Sequence, residues 1–385
     1  MIAPLIELRR NLHRVPELAF HEEKTARLIL DQLRALDLEA TYGGPGTGVV
    51  ARLRGRSSSA PVIALRAEMD ALPGCEATGL PFTSEHPGCV HACGHDAHMT
   101  MVLGAAQLLA QNGGPEGDVV LLFQPAEERG AGSDVVVQSG ALAGVDAIFA
   151  GHVTHHYPTG QIMVTSGAVT AACDRFALHV QGKAGHGARP HEAIDAVIVA
   201  GFLITALQTL VTREIDPLHP TVITIGRVQA GTAANVIAAE ATLEGTIRTT
   251  EAATRTCVIL GIRRMAEAAG MLHNARVTVE MGTANPAVIN TAREAAICQR
   301  AAETVAGVRN VVPQEHPSMG SEDFSLYLRD VPGCYVRFGA CKEGWPYVPL
   351  HSPGFTVDED VLAVGASFFA EAVREAQRTL PRRQR

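Results

Sequence analysis

The strongest constraint on the fold is an alternation of element types along the chain. Short apolar runs of strand length at 48–53, 62–65, 118–123 and 145–150 alternate with helical periodicity at about 3–14, 21–36, 97–110 and 132–139. Runs this short and apolar suit strands buried on both faces, and the intervening helices supply the cover for a largely parallel sheet. The middle of the chain follows another rule. Residues 176–181 alternate as a half-exposed strand and 192–211 read as a long apolar helix. Strands at 221–228 and 236–249, a helix at 251–270 and a strand at 275–281 follow. That β-α-β-β-α-β order is the ferredoxin-like split pattern of a small α+β domain. A helix near 291–305, a strand near 334–339 and a terminal helix at 358–377 close the chain. The expected fold class is α/β, a mixed, largely parallel sheet flanked by helices. Residues 1–173 and 283–385 form that domain, with 174–282 inserted as the ferredoxin-like one. A length of 385 residues suits two domains.

Composition narrows the class. With 46% hydrophobic and 19% charged residues the chain can bury a core and is not disordered. A formal charge of −8 and a pI near 6.1 argue against nucleic acid, which demands a basic face. The longest apolar run, 196–207, is shorter than the roughly 20 residues that span a bilayer, so it reads as a buried helix. The start, MIAPLIELRRNLHR, places its charges after its apolar residues, the reverse of a signal peptide. Eight cysteines lie scattered without a CxxC pair, which suggests reduced thiols. The expectation is a soluble cytoplasmic protein with neither nucleic acid nor membrane as partner.

In parallel sheets, ligand groups gather beyond the carboxyl ends of the strands. Here the strand at 62–66 runs into Glu68, Met69 and Asp70, and the strand at 118–123 into Gln124, Pro125, Ala126, Glu127 and Glu128. The strand at 145–150 ends in Gly151 and His152, and the helix starting near Gly94 is preceded by a segment holding His91, Cys93 and His95. Each has an ordinary explanation alone. A lone His152 is more often a core or surface histidine, a Glu127–Glu128 pair a solvated turn, and Cys93 a small buried hydrophobe. His98 either packs or supports the site, and His155 and His156 read as loop residues nearby. Together these residues supply Cys, His and carboxylate donors, the ligands of Zn²⁺-like ions. No GxSxG elbow of a serine hydrolase and no HExxH of a zincin is present, since His21-Glu22 and His191-Glu192 lack the second histidine.

Eight stretches occur in order: RAEMDALP (66–73), HACGHDAH (91–98), QPAEE (124–128), GHV (151–153), GKAGHGARPHEAIDAV (182–197), AGTAANVIAAEATLEGTIRT (230–249), MGSEDF (319–324) and PLHSPGF (349–355). Nearly end to end, the chain resembles the aminoacylase, hippurate hydrolase and auxin-conjugate amidohydrolase branch of the co-catalytic zinc metallopeptidase family. The resemblance implies a metal-dependent amidohydrolase that cleaves N-acyl amino acids. Cys93, His95, Glu128, His152 and His351 would hold two divalent ions, with Cys93 bridging. Zn²⁺ is the expected ion and Mn²⁺ or Co²⁺ the alternatives. Glu127 would be the general base and Asp70 a support behind the site. The inserted domain corresponds to a lid and dimerisation domain, from which His186 reaches across a homodimer to the substrate carbonyl and Asn235 contacts substrate. Glu68 stands where Asp is frequent. His155 and His156 replace apolar residues and proline, which bears on the acyl group accepted. The alternatives are a dipeptidase or carboxypeptidase of the same family, or an inactive metal-dependent binding protein.

Overall fold

The computed structural model describes residues 2–43, 46–111 and 113–382, apart from the side chain of Thr283. The chain forms two compact units, one of Met1–Val169, Val288–His316 and Glu322–Arg385, the other of Thr170–Ala287 and Pro317–Ser321. In the large unit, helices α1 (Ile2–Arg14) and α2 (Glu23–Ala35) precede strands β1 (Glu39–Tyr42), β2 (Val49–Leu53) and β3 (Ile63–Glu68). Helix α3 (His95–Gln111) leads to β4 (Val119–Gln124), α4 (Gly132–Gln138), β5 (Ala147–Pro158) and β6 (Ile162–Met163). The small unit holds β7 (Ala172–Gln181), α5 (Ala196–Thr209), β8 (Thr221–Ala230), β9 (Glu240–Thr249), α6 (Ala252–His273) and β10 (Arg276–Asn285). Helix α7 (Ala292–Ala306), strands β11 (Val311–Val312) and β12 (Gly333–Cys341) and helix α8 (Val361–Thr379) complete the large unit.

The large sheet has the order β1-β2-β4-β3-β5-β12-β6-β11. Its centre is parallel, β4 with β3, β3 with β5 and β5 with β12, while β1, β2 and the β12–β6 pair run antiparallel. Strands β3 and β4 are buried at every residue, as their unbroken apolar runs require. Alternate residues part to opposite faces. Ile63, Leu65, Val119, Leu121 and Phe123 join the core that holds α1, α2, α3, α7 and α8. Ala64, Val120 and Leu122 join a second core with Val136, Phe324, Tyr327 and Tyr335.

Two differences from the sequence reading matter for the site. Strand β5 was expected to stop at residue 150, yet it runs to Pro158 because its polar residues continue the pairing with β12, His152 opposite Arg337 and Thr154 opposite Gly339. His152 is therefore inside a strand rather than beyond its end. In the small unit the expected strand 236–249 is divided into Val236–Ile237 and β9, and the helix expected from 192 begins at Ala196. There the Asp195 carboxylate caps it by accepting from the Val197 and Ile198 N–H groups.

The small sheet has the order β8-β9-β7-β10, antiparallel throughout, with α5 and α6 covering its apolar face. This is the ferredoxin-like arrangement. Helix α5 continues in a wider turn to Glu214, which makes it longer than the apolar run alone suggested. The resulting 19-residue helix is apolar enough to cross a membrane by length and composition. Ala196, Val199, Ala200, Leu203 and Leu207 turn instead into the small unit's core.

Candidate metal and catalytic site

Asp70 organises the site from just past the end of β3. Its Oδ1 accepts from the Glu127 N–H at 3.1 Å and its Oδ2 from the Glu128 N–H at 3.0 Å. One carboxylate thus fixes both residues at the start of a single helical turn, where unpaired N–H groups favour an anion. The Asp70 main-chain oxygen is 2.7 Å from His95 Nδ1. A carbonyl only accepts, so Nδ1 carries the proton and Nε2 presents its lone pair. Ala126, just before the base candidate, and His351 both take left-handed backbone angles, φ 54° and 65°. Each such non-glycine conformation costs on the order of 1–3 kcal/mol, and such residues cluster at functional sites.

Three interlocking donor groups meet here. Ligand atoms of Cys93, His95 and His152 lie within 4.8 Å of one another, as do those of Cys93, Glu128 and His351, and of His95, Glu127 and Glu128. Cys93 belongs to the first two groups, with its Sγ 3.3 Å from His152 Nε2. His351, whose backbone N–H donates to Ala92 O at 2.8 Å, sets Nε2 3.3 Å from Glu128 Oε1. His95 Nε2 is buried without a hydrogen-bond partner, and Glu128 Oε1 is buried with only the His351 ring nearby, in an approach that lacks hydrogen-bond geometry. Buried polar atoms are rarely left so. Thiol, imidazole and carboxylate donors with unmatched atoms converging on one space fit divalent cations of the Zn²⁺ kind. Burial pushes the Cys93 thiol up to about 12. It therefore stays protonated until a cation displaces the proton. Burial, then His98 and Arg337, hold His152 well below the ordinary histidine value, in the neutral form that ligates.

Behind this cluster lies a buried charge network that the sequence reading did not assemble. The fully buried Arg66 guanidinium pairs with Glu68 and with Glu322 and Asp323, the last two at 2.9 Å. Tyr335 donates to Glu322 at 2.7 Å, and Gln124 to Asp323 at 2.9 Å. Burial alone would raise Glu68, but Arg66 and His98 outweigh it and keep it ionised. Glu127, Glu322 and Asp323 bring carboxylate oxygens within 4.8 Å of one another. Burial first, then Glu322, Asp323 and Glu128, raise the half-buried Glu127 well above the usual carboxylate range. A carboxylate so placed is a better proton acceptor. The available signal was a lone arginine within an apolar strand together with the quoted MGSEDF segment.

The seven residues of the large unit, Asp70, Cys93, His95, Glu127, Glu128, His152 and His351, are thus brought together. His186 and Asn235 stand in the small unit, beside each other. His186 pairs with Val236 in a short antiparallel ladder, the Gly187 N–H donates to Asn235 O at 2.9 Å, and both side chains are exposed.

Residues 64–375 match the profile described as peptidase family M20/M25/M40. The chain belongs to that family. Its curated relatives include the N-acetylcysteine deacetylase of Bacillus subtilis, 40% identical over 95% of this chain and 95% of that protein. Thermostable carboxypeptidase 1 of Saccharolobus solfataricus is 38% identical over 94% and 92%. Among solved structures, the Bacillus subtilis YXEP protein, described as a dinuclear metal-binding peptidase of the M20 family, superposes with a TM-score of 0.87. It is 37% identical, covering 98% of this chain and 99% of that one. As an M20 protein with these relatives, the chain is a metal-dependent hydrolase.

Proposed function

We propose that this M20 hydrolase cleaves the amide bond of N-acyl amino acids, using two divalent ions held by Cys93, His95, Glu128, His152 and His351. The observation that carries the reading is Cys93, common to two donor groups, with Glu127 beside the same cluster. A Cys93 thiolate among imidazoles and carboxylates would favour Zn²⁺, with Mn²⁺ or Co²⁺ able to substitute. When bound, the ions polarise the amide carbonyl and acidify a water. Glu127 accepts the proton of the attacking water and delivers it to the leaving amine. Asp70 fixes Glu127 and Glu128 by holding both backbone N–H groups, and in this reading the Glu128 side chain serves the ions and the Glu127 side chain the proton. His186 adds a donor to the developing oxyanion, and Asn235 steadies the substrate.

The small unit, taken as residues 174–282, acts in this reading as lid and homodimer interface. Support comes from an exposed apolar stripe on α5, Val197, Ile198 and Phe202, and from β8, a sheet edge unpaired among the described residues, with exposed Val222 and Val228. The partners are then a small N-acyl amino acid and a second copy, with no nucleic acid or membrane. Eight free cysteines accord with a cytoplasmic setting.

The deacetylase relative favours N-acyl amino acids, while the carboxypeptidase relative favours peptides as a second reading. A panel of N-acetyl, N-benzoyl and indole-acyl amino acids beside dipeptides and N-blocked peptides, assayed with added Zn²⁺ or Mn²⁺, separates them. N-acyl amino acids should give the higher kcat/KM, and a preference for peptides would transfer the assignment to the second reading.

A further inference from the structure

Strand β5 outruns its neighbour β3. The two pair only from Ile63–Ala147 to Leu65–Phe149, so beyond that point no strand among the described residues receives the N–H groups on this edge of β5. A buried N–H must still find an acceptor. The Val153 N–H finds one in His98 Nε2, at 3.0 Å. An Nε2 that accepts carries no proton, so His98 is protonated at Nδ1, which donates to Glu68 Oε2 at 2.8 Å. Arg66 in turn grips the other Glu68 oxygen. The other polar group of Val153, its carbonyl, accepts from His152 Nδ1 at 2.7 Å and so leaves His152 Nε2 facing Cys93. The His98 and His152 rings meet edge to face, centroids 4.5 Å apart. The seat is tight: a Cβ on Gly94, itself at φ 88°, would come within 2.4 Å of the Val153 side chain.

We infer that His98 is a positioning residue: with its tautomer set by Glu68, it clamps the Val153 peptide, whose carbonyl aims His152 at the metal site. The inference rests on His152 acting as a ligand, as proposed above. It also gives Glu68 a function, since its two carboxylate oxygens reach Arg66 and His98 separately.

The test compares Zn²⁺ affinity, by competition with a chromophoric chelator, for metal-stripped wild type, His152→Ala, His98→Phe and His98→Gln. His152→Ala should lose one ion. His98→Phe keeps ring volume without nitrogens and should weaken that same ion by about 10–100-fold, the usual effect of removing a partner that orients a ligand. His98→Gln can offer Oε1 to the Val153 N–H and should recover most of the loss. If His98→Phe binds both ions as wild type does while His152→Ala loses one, the role of His98 fails and the ligand assignment stands. Glutamine performing no better than phenylalanine also overturns the clamp. Retention of both ions by His152→Ala overturns the ligand assignment and the inference with it. Should the phenylalanine variant not fold, ¹⁵N spectra of wild-type histidines decide: an Nδ1–H His98 supports the clamp and an Nε2–H form refutes it.

Discussion

Glu127 and Glu128 are adjacent in sequence, share one anchoring carboxylate, and are assigned opposite duties. Glu128 shares a donor group with Cys93 and His351, whereas Glu127 also faces Glu322 and Asp323, whose charge strengthens its hold on a proton. Glu127→Gln keeps the shape and removes the acceptor. Its kcat should fall by at least about 100-fold, the lower end of general-base contributions, with metal content unchanged. Glu128→Gln should lose metal together with activity. The reverse pattern, metal lost on changing Glu127 and kept on changing Glu128, would exchange the two roles. The same residue scale explains why Arg66 tolerates complete burial. Three carboxylates surround it, and removing one partner of such a buried ion pair typically costs about 3–5 kcal/mol.

At the scale of elements, α1 is tied to α3 through charge as well as packing. Arg9 and His13 on α1 both reach Asp96 on α3, at 2.7 and 2.8 Å, and His13 Nε2 lies 3.2 Å from Glu76. Burial alone would depress His13, but Asp96 and Glu76 outweigh it, against the opposing charge of Arg9, and raise it above the ordinary 6.5. A raised folded-state value means that the contribution is complete below pH 6.5 and fades as pH climbs through that raised value. His13→Gln should accordingly lower Tm by about 2–4 °C at pH 6, as a loss of about 1 kcal/mol would, and by less at pH 9. A gap that widens with pH would contradict the sign. These elements also show what a sequence can disclose. Helices α2 and α8 and strands β3 and β4 were readable because their apolar periodicity is local, and Cys93 and His95 because one short segment carries both. Strands β1, β6 and β11 were missed, being two to four residues long and lying towards the sheet's edges. The polar half of β5 and the Arg66 network were hidden for a different reason. Burial there comes from residues far along the chain, Phe338 opposite Val153 and Asp323 against Arg66.

For the whole molecule, two units have separate duties in the proposal, a large one carrying the proposed ion ligands and base, and a small one carrying His186 and Asn235. If His186 serves the partner's site, mixing inactive Glu127→Gln with inactive His186→Ala chains and allowing exchange should restore part of the activity. One site of each heterodimer then receives both intact residues. Verified heterodimers that stay inactive, though folded and metal-loaded, would confine His186 to its own chain or to no role. Elemental analysis of reconstituted wild type and Cys93→Ser, with hydrolysis assayed on the same samples, tests most directly whether Cys93 helps to hold a two-ion centre. Two ions per wild-type chain are expected, with metal retention and activity both reduced in the serine variant, since a hydroxyl is a poor substitute for a ligating thiolate. Wild-type metal content and undiminished activity in Cys93→Ser would contradict that role.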